Sequence, residues 1–225
     1  MTQSDWVVFP SLADDFELSA WRTPAIGPRK GGLVLIQEIF GVTDDLKRVC
    51  DDFAAEGYDV LAPSLFDRFE RRVVLDHATE DGMARARRYA SENPWELVVG
   101  DVQAAIDYLR PMGSVFLTGF CYGGAVTWVC AARCEGVSAA SGYYGRLIVE
   151  FLDDAPKCPT ILHFGRTDPI IPMADVDAIQ RAYPDLPVHI YEAGHGFVSN
   201  RSADYSPDAA ALSKSRTLAL FESNR

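Results

Sequence analysis

Basic residues are scarce in this chain of 225 residues: 21 Lys plus Arg stand against 32 Asp plus Glu, a formal net charge of −11. A binder of phosphate backbones needs a basic face, so that class is excluded, and no nucleic-acid partner is expected. The same imbalance repels an anionic substrate at long range, so local arginines would have to grip one. The acidic residues are scattered and read as a solvated surface. No apolar run is long enough to span a bilayer, so no membrane partner is expected. The stretch Met1-Thr2-Gln3-Ser4-Asp5-Trp6 shows no basic segment followed by an apolar one, so no secretory signal is read and a cytoplasmic location is expected.

Cysteine is present but odd in number: Cys50, Cys121, Cys130, Cys134 and Cys158. Without a leader, an odd count argues against a disulfide framework. Cys130 and Cys134 stand one helical turn apart, but no second pair of ligands accompanies them. They read as core residues, and no metal is expected. Repeats, low-complexity tracts and dividing linkers are also lacking. With 48% hydrophobic and 24% charged residues, the composition is that of a soluble globular enzyme. The length suits one α/β domain over 1–225.

What is present is an alternation of strands and helices. Asp15 to Thr23 alternates as an edge strand would, and residues 32–37 form a continuous apolar run suited to a strand buried on both faces. Thr43 offers an N-cap for a helix from Asp44 to Glu56, ended by Gly57, and a strand follows at Tyr58 to Ala62. Residues 64–82 are irregular and charged. Helices are expected at Met83 to Ser91, Glu96 to Arg110, Gly123 to Cys134, Asp175 to Ala182 and Pro207 to Phe221. Strands are expected at Ser114 to Thr118, Val137 to Ser141, Thr160 to Phe164 and Val188 to Tyr191. This order predicts a doubly wound, mostly parallel sheet flanked by helices, with ligands at the C-terminal strand ends.

The chemistry is carried by Gly119-Phe120-Cys121-Tyr122-Gly123. An apolar strand runs into Gly-x-Cys-x-Gly and a helix starts at once, the setting of a nucleophile elbow with Cys in place of Ser. The tight turn leaves no room for flanking side chains, which gives Gly119 and Gly123 a steric reason. A helix start favours an anion on the sulfur, and the Tyr122 amide can donate to a developing oxyanion. Taken alone, the motif is matched about evenly by a buried cysteine in a glycine-containing turn. Two partners then follow in the chain order that such a triad requires. Asp168 sits in a loop after an apolar strand, and His195 sits between Gly194 and Gly196 in a loop after the last strand. The other histidines lack that placement. His163 lies within an apolar strand, His189 alternates with Val188 and Ile190 and so faces the opposite side of the sheet, and His77 sits in the charged segment.

Across almost its whole length the chain resembles the dienelactone hydrolase family, whose members have the α/β-hydrolase fold. The resemblance lies in Gln37-Glu38-Ile39-Phe40-Gly41-Val42, Gly119-Phe120-Cys121-Tyr122-Gly123-Gly124, Gly142-Tyr143-Tyr144-Gly145, His163-Phe164-Gly165 with Asp168, Ala193-Gly194-His195-Gly196-Phe197 and the closing helix from Ala209 to Phe221. It implies hydrolysis of dienelactone to maleylacetate in the breakdown of chlorinated aromatics, without a cofactor. It implies that Cys121 attacks the carbonyl, that His195 is the general acid-base oriented by Asp168, and that Glu38 pairs with the thiol and takes its proton. The amides of Ile39 and Tyr122 would form the oxyanion hole. From the residues alone Glu38 is a polar strand end; a carboxylate can take a thiol proton there only if partial desolvation raises its pKa.

For the substrate carboxylate, the family uses an arginine four residues after the base. Ser199 stands at that place here, and Arg201 lies two residues further on. The family also uses an Arg and a Tyr four apart on a helix. Arg85 and Tyr89 have that spacing, which puts both on one helical face, although a two-residue shift is needed to align them. Arg85, Arg87 and Arg88 read equally well as solvated helix residues. Two other functions stay open: a general carboxylesterase on small esters, and a non-catalytic thiol protein on the same fold. The assembly expected is a monomer or a small homo-oligomer.

Overall fold

The computed structural model describes residues 3–225; Met1 and Thr2, part of the stretch read for a leader, lie outside it. Among the described residues no helix is long and apolar enough to cross a membrane. The strands are β1 (Asp5–Pro10), β2 (Glu17–Thr23), β3 (Gly31–Ile36), β4 (Tyr58–Pro63), β5 (Val115–Phe120), β6 (Ala139–Tyr143), β7 (Thr160–Gly165) and β8 (Val188–Tyr191). They form one eight-stranded sheet in the order β1-β2-β4-β3-β5-β6-β7-β8. From β4 onward across the sheet every pairing is parallel, and β2 alone runs against the rest, antiparallel to both β1 and β4.

β2 is not the edge expected from its alternation. Asp5–Pro10 pairs with it from Asp5↔Arg22 to Pro10↔Glu17 and takes the edge instead. β1 was not read from the sequence because its six residues carry a proline and no turn signal at the start. Strands β3 and β5 are buried on both faces, and their side chains alternate between two cores. Leu33, Leu35 and Phe116 point into one core, and Val34, Ile36 and Leu117 point into the other. Continuous apolar runs, rather than alternating ones, are the natural composition for such strands.

The helices are α1 (Asp44–Ala55), α2 (Glu80–Glu92), α3 (Trp95–Leu109), α4 (Tyr122–Arg133), α5 (Met173–Ala182) and α6 (Pro207–Ser223). Helices α1, α5 and α6 cover the first core, α2 and α3 the second, and α4 contributes to both. The Thr43 side chain accepts from the Leu46 amide at 3.2 Å, as its N-cap position requires. α2 starts three residues earlier than Met83 because Thr79 caps it, accepting from the Gly82 amide at 3.1 Å. The irregular segment before it is anchored across the β3 exit loop by a Gly41↔Val74 bridge and a 3.0 Å bond from the Leu75 amide to the Phe40 carbonyl.

From β3 the chain crosses first to β4 on one side and then to β5 on the other. Such a reversal leaves a crevice beyond the C-terminal ends of β3 and β5. Glu38 leaves the end of β3, and Cys121 leaves the end of β5.

Candidate active site

The turn after β5 is strained where the sulfur stands. Cys121 has φ 56° and ψ −115°, and α4 begins at the next residue. A Cβ on Gly119 would lie 2.3 Å from the Gly123 carbonyl oxygen, and one on Gly123 would lie 2.5 Å from the carbonyl oxygens of both Ile36 and Gln37. The glycines therefore let β5, β3 and α4 meet within backbone contact distance. The Cys121 amide donates to the Tyr143 carbonyl at 3.0 Å, which ties the elbow to β6. Gly123→Ala should cost about 3 kcal/mol or more, since backbone rather than a mobile side chain opposes the new methyl. Urea denaturation would read this as a lower midpoint with an unchanged slope.

Asp168 follows β7 and is buried. Its Oδ1 accepts from the amides of Ile170 at 2.7 Å and Ile171 at 3.2 Å, which leaves Oδ2 facing the ring of His195 at 2.7 Å from Nδ1. The two loops are stitched together by the Thr167 amide donating to the Ala193 carbonyl at 3.1 Å. The Ser202 hydroxyl donates to the His195 carbonyl at 2.9 Å. Gly194 makes room for the Asp204 carboxylate, which would stand 2.3 Å from a Cβ there. The sequence carried no sign of Ser202 or Asp204, whose contacts form only when residues 194–206 fold back on themselves.

Burial works against a charge on His195, but hydrogen bonding to Asp168 and to the Cys121 side chain outweighs it, and the ring pKa rises to about 10. The histidine's proton is thus more tightly held in the folded chain than in the unfolded one. Its stabilising contribution is full below pH 6.5 and is lost as pH rises through about 10. Two of the raising contributions come from Cys121. In Cys121→Ala the ring should titrate at a lower pH, a shift that NMR of the His195 ring carbons would measure.

Glu38 is partly buried, and its backbone is held by Gln37, whose amide group donates to the Glu38 carbonyl at 3.2 Å while its oxygen accepts from the Leu65 amide at 3.1 Å. Burial raises the Glu38 carboxyl pKa, and the positive charge that His195 and His77 can carry acts in the opposite sense. Arg201 reaches Glu38 from outside, with Nη2 3.9 Å from Oε2, but its ion pair is with Asp45. Glu38, Asp45, Ser199 and Arg201 line a cavity of about 340 Å³ that also has Phe120 and Val198 in its wall.

Arg85 and Tyr89 do share a helical face, 3.4 Å apart, but Arg85 is paired with Glu70. Tyr89 is buried, stacked on Phe69 at 4.7 Å and packed against Phe66, which in turn meets Tyr122 at 5.7 Å. Neither residue lines the cavity beside Glu38. His163 is buried among Tyr191, Ser141 and Thr217. His189 stacks on it at 5.4 Å. His77 is exposed, as its charged surroundings suggest, although its ring also touches Phe40 at 5.9 Å. Cys130 and Cys134 are buried core residues.

The dienelactone hydrolase family model matches residues 20–224. The chain belongs to the dienelactone hydrolase family. The carboxymethylenebutenolidase of Pseudomonas putida is 35% identical over 196 residues, covering 83% of each chain. A carboxymethylenebutenolidase from another Pseudomonas species is 32% identical over 212 residues, 89% of this chain and 87% of the other. Among solved structures, a candidate dienelactone hydrolase from Klebsiella pneumoniae superposes with a TM-score of 0.81 at 25% identity, covering 98% of this chain and 99% of that one. The Pyrococcus furiosus esterase Pf2001, at 14% identity and a TM-score of 0.73 over 98% and 91% of the two chains, shares the α/β-hydrolase fold. As a member of this family the chain is a hydrolase of carboxylic esters.

Proposed function

We propose that this chain opens lactones or activated esters through a covalent thioester on Cys121, as carboxymethylenebutenolidase would on dienelactone to give maleylacetate. The observation that supports this most is the 2.7 Å pair between the part-buried His195 ring and the buried Asp168 carboxylate, with Cys121 among the groups that raise the ring's pKa. Asp168 already pushes the ring toward its protonated form, so Glu38, whose proton affinity burial raises, is the better acceptor for the thiol proton. The sulfur then attacks the carbonyl carbon, and the amides of Ile39 and Tyr122 hold the oxyanion. Collapse breaks the ring C–O bond, the departing oxygen takes the proton of the His195 ring, which is left neutral, and a thioester remains. The neutral ring takes a proton from water, the hydroxide cleaves the thioester, and Glu38 returns its proton to the departing sulfur. A thiolate expels an enol more readily than an alkoxide, so activated esters suit it best. The test is mass spectrometry of the acid-quenched enzyme during turnover, which should find the acyl group on the tryptic peptide containing Cys121.

A second reading, a general small-ester carboxylesterase, is favoured by the position of Arg201. Its guanidinium is taken up by Asp45, which also pairs with Arg48 in the same wall, and Ser199 stands where the family carries an arginine, so among the described residues no free cation of this cavity awaits a substrate carboxylate. The two readings separate on paired substrates, an uncharged butenolide and its carboxymethylene form. If Asp45 withholds Arg201, Asp45→Asn should lower KM for the carboxylated partner roughly tenfold, about the worth of one charge-assisted hydrogen bond. KM for a p-nitrophenyl ester should not move. Arg85 and Tyr89 as a carboxylate grip predict the opposite, a tight wild-type KM for the carboxylated form that Arg85→Ala weakens.

A further inference from the structure

Gln37, the residue after β3, is fully buried, and a glutamine is costly to bury unless both ends of its side-chain amide are met. Its Oε1 accepts from the Leu65 amide at 3.1 Å, and its Nε2 donates to the Glu38 carbonyl at 3.2 Å. These partners fix which way round the head group lies, because a backbone N–H can only donate and a carbonyl can only accept. The anchor is itself held on two sides. The Leu65 carbonyl accepts from the buried Asn93 side chain at 2.9 Å, and the Ser64 amide donates to the Ser19 carbonyl at 2.8 Å.

The carbonyl that Gln37 holds belongs to the same peptide unit as the Ile39 N–H. In a planar trans peptide the two point in opposite directions, so a carbonyl tied to a buried side chain turns the N–H away from it. Among the described residues the Ile39 amide donates to no backbone carbonyl. The Phe40 carbonyl, next in the turn, is tied in the same way and accepts from the Leu75 amide at 3.0 Å. A Cβ on Gly123 would stand 2.5 Å from the Gln37 carbonyl oxygen. The turn carrying the Ile39 amide and the first turn of α4, which carries the Tyr122 amide, thus meet in backbone contact next to Cys121. A donor on a peptide carbonyl also polarises that peptide and strengthens its N–H.

We infer that Gln37 is a positioning residue whose side-chain amide aims the Ile39 N–H at the oxyanion. The inference rests on the proposed role of Ile39 in holding that oxyanion. It supplies the cause of the aim: the donor is set before substrate arrives, so nothing has to reorganise as charge develops. A neutral ester carbonyl draws little on such a donor, and the anion draws on it fully. Formation and cleavage of the thioester both pass through an oxyanion. Loss of the aim therefore falls on kcat and spares KM.

The test is Gln37→Met, which keeps the length of the side chain and removes its donor. With p-nitrophenyl butyrate kcat should fall by about ten- to a hundredfold, since the amide is misaimed rather than removed. KM should stay within about twofold. An aliphatic trifluoromethyl ketone gives a stable mimic of the intermediate. The sulfur bonds to its carbonyl carbon, Glu38 takes the thiol proton, and the ketone oxygen becomes the anion between the two amides. Its Ki should rise by the factor that kcat falls. In the resting enzyme the amide nitrogen resonance of Ile39 should move upfield, because the bond to its peptide carbonyl is gone. Gln37→Ala, which leaves room for a water between Leu65 and Glu38, takes the same measurements if the methionine variant does not fold. An unmoved Ile39 resonance, a loss confined to KM, or an unchanged Ki overturns the inference. A wild type that binds the ketone no more tightly than Cys121→Ala refutes thiol addition first and the inference with it, and the wild type alone tells that result from the others.

Discussion

Cys121→Ala should lower kcat/KM on the best ester or lactone substrate by about 10³-fold or more while leaving the fold intact. The side chain is partly exposed and makes no packing contribution that alanine would forfeit heavily. The strained φ of 56° is carried by the backbone and persists in the variant. What disappears is the atom proposed to form the covalent bond. The amides proposed to hold the oxyanion and the His195–Asp168 pair survive, so a residual rate above that of water should remain, with His195 assisting direct attack by water. Cys121→Ser is the sharper comparison. A hydroxyl ionises far less readily than a thiol, and in the proposed mechanism a carboxylate, Glu38, has to take that proton, so the serine variant should also lose most activity. A nearly active Cys121→Ala would mean that the enzyme hydrolyses its substrate without a covalent intermediate, and Glu38 would then be the general base for water.

The parts of the fold that were legible in the sequence are those written in short-range chemistry. The runs that became β3 and β5 are buried on both faces and therefore apolar throughout, and Thr43 caps α1 through its own side chain. The elbow was legible because Gly119 and Gly123 are demanded by contacts of 2.3 and 2.5 Å that any residue with a Cβ would break. What stayed hidden depends on long-range contact. The edge position of β1 is a matter of pairing with β2, which no local pattern records. The early start of α2 follows from a cap at Thr79 inside a segment whose charge masks any periodicity.

The site divides in the same way. Chain order and glycine flanks pointed to Cys121, Asp168 and His195 from the residues themselves, whereas Glu38 needed the family resemblance because a strand-end glutamate has no local signature. Tyr144 lay within a recognised stretch, yet nothing in Gly142-Tyr143-Tyr144-Gly145 distinguishes one tyrosine from the other. Only the fold makes Tyr143 a partner of Thr217, at 2.6 Å, and leaves Tyr144 unpartnered. Asp45 read as an ordinary first-turn acid of α1, and its hold on Arg201 crosses more than 150 residues of chain.

Asp168→Asn should lower kcat by about 10⁴-fold with little change in KM, the size expected when a triad acid is replaced by its amide. The physical reason lies in the two amides at Oδ1. Ile170 and Ile171 donate to that atom, so an asparagine would have to place its carbonyl oxygen there and turn its NH₂ toward the His195 ring. Nδ1 must then accept, and the neutral ring is forced to carry its proton on Nε2, where the attacking water needs an acceptor. The ring also loses the carboxylate that most raises its pKa, so its titration should fall from about 10. Shape and volume are nearly conserved, and the thermal midpoint should move far less than the rate. If His195 serves chiefly to activate water, the slowed step is thioester cleavage, and the variant should accumulate acyl-enzyme with a burst of one product equivalent per site. If the ring is needed first to protonate the departing oxygen, no burst appears and acylation itself slows. A variant with wild-type kcat would separate His195 from the chemistry altogether, because no geometry compatible with those two amides lets asparagine imitate the carboxylate.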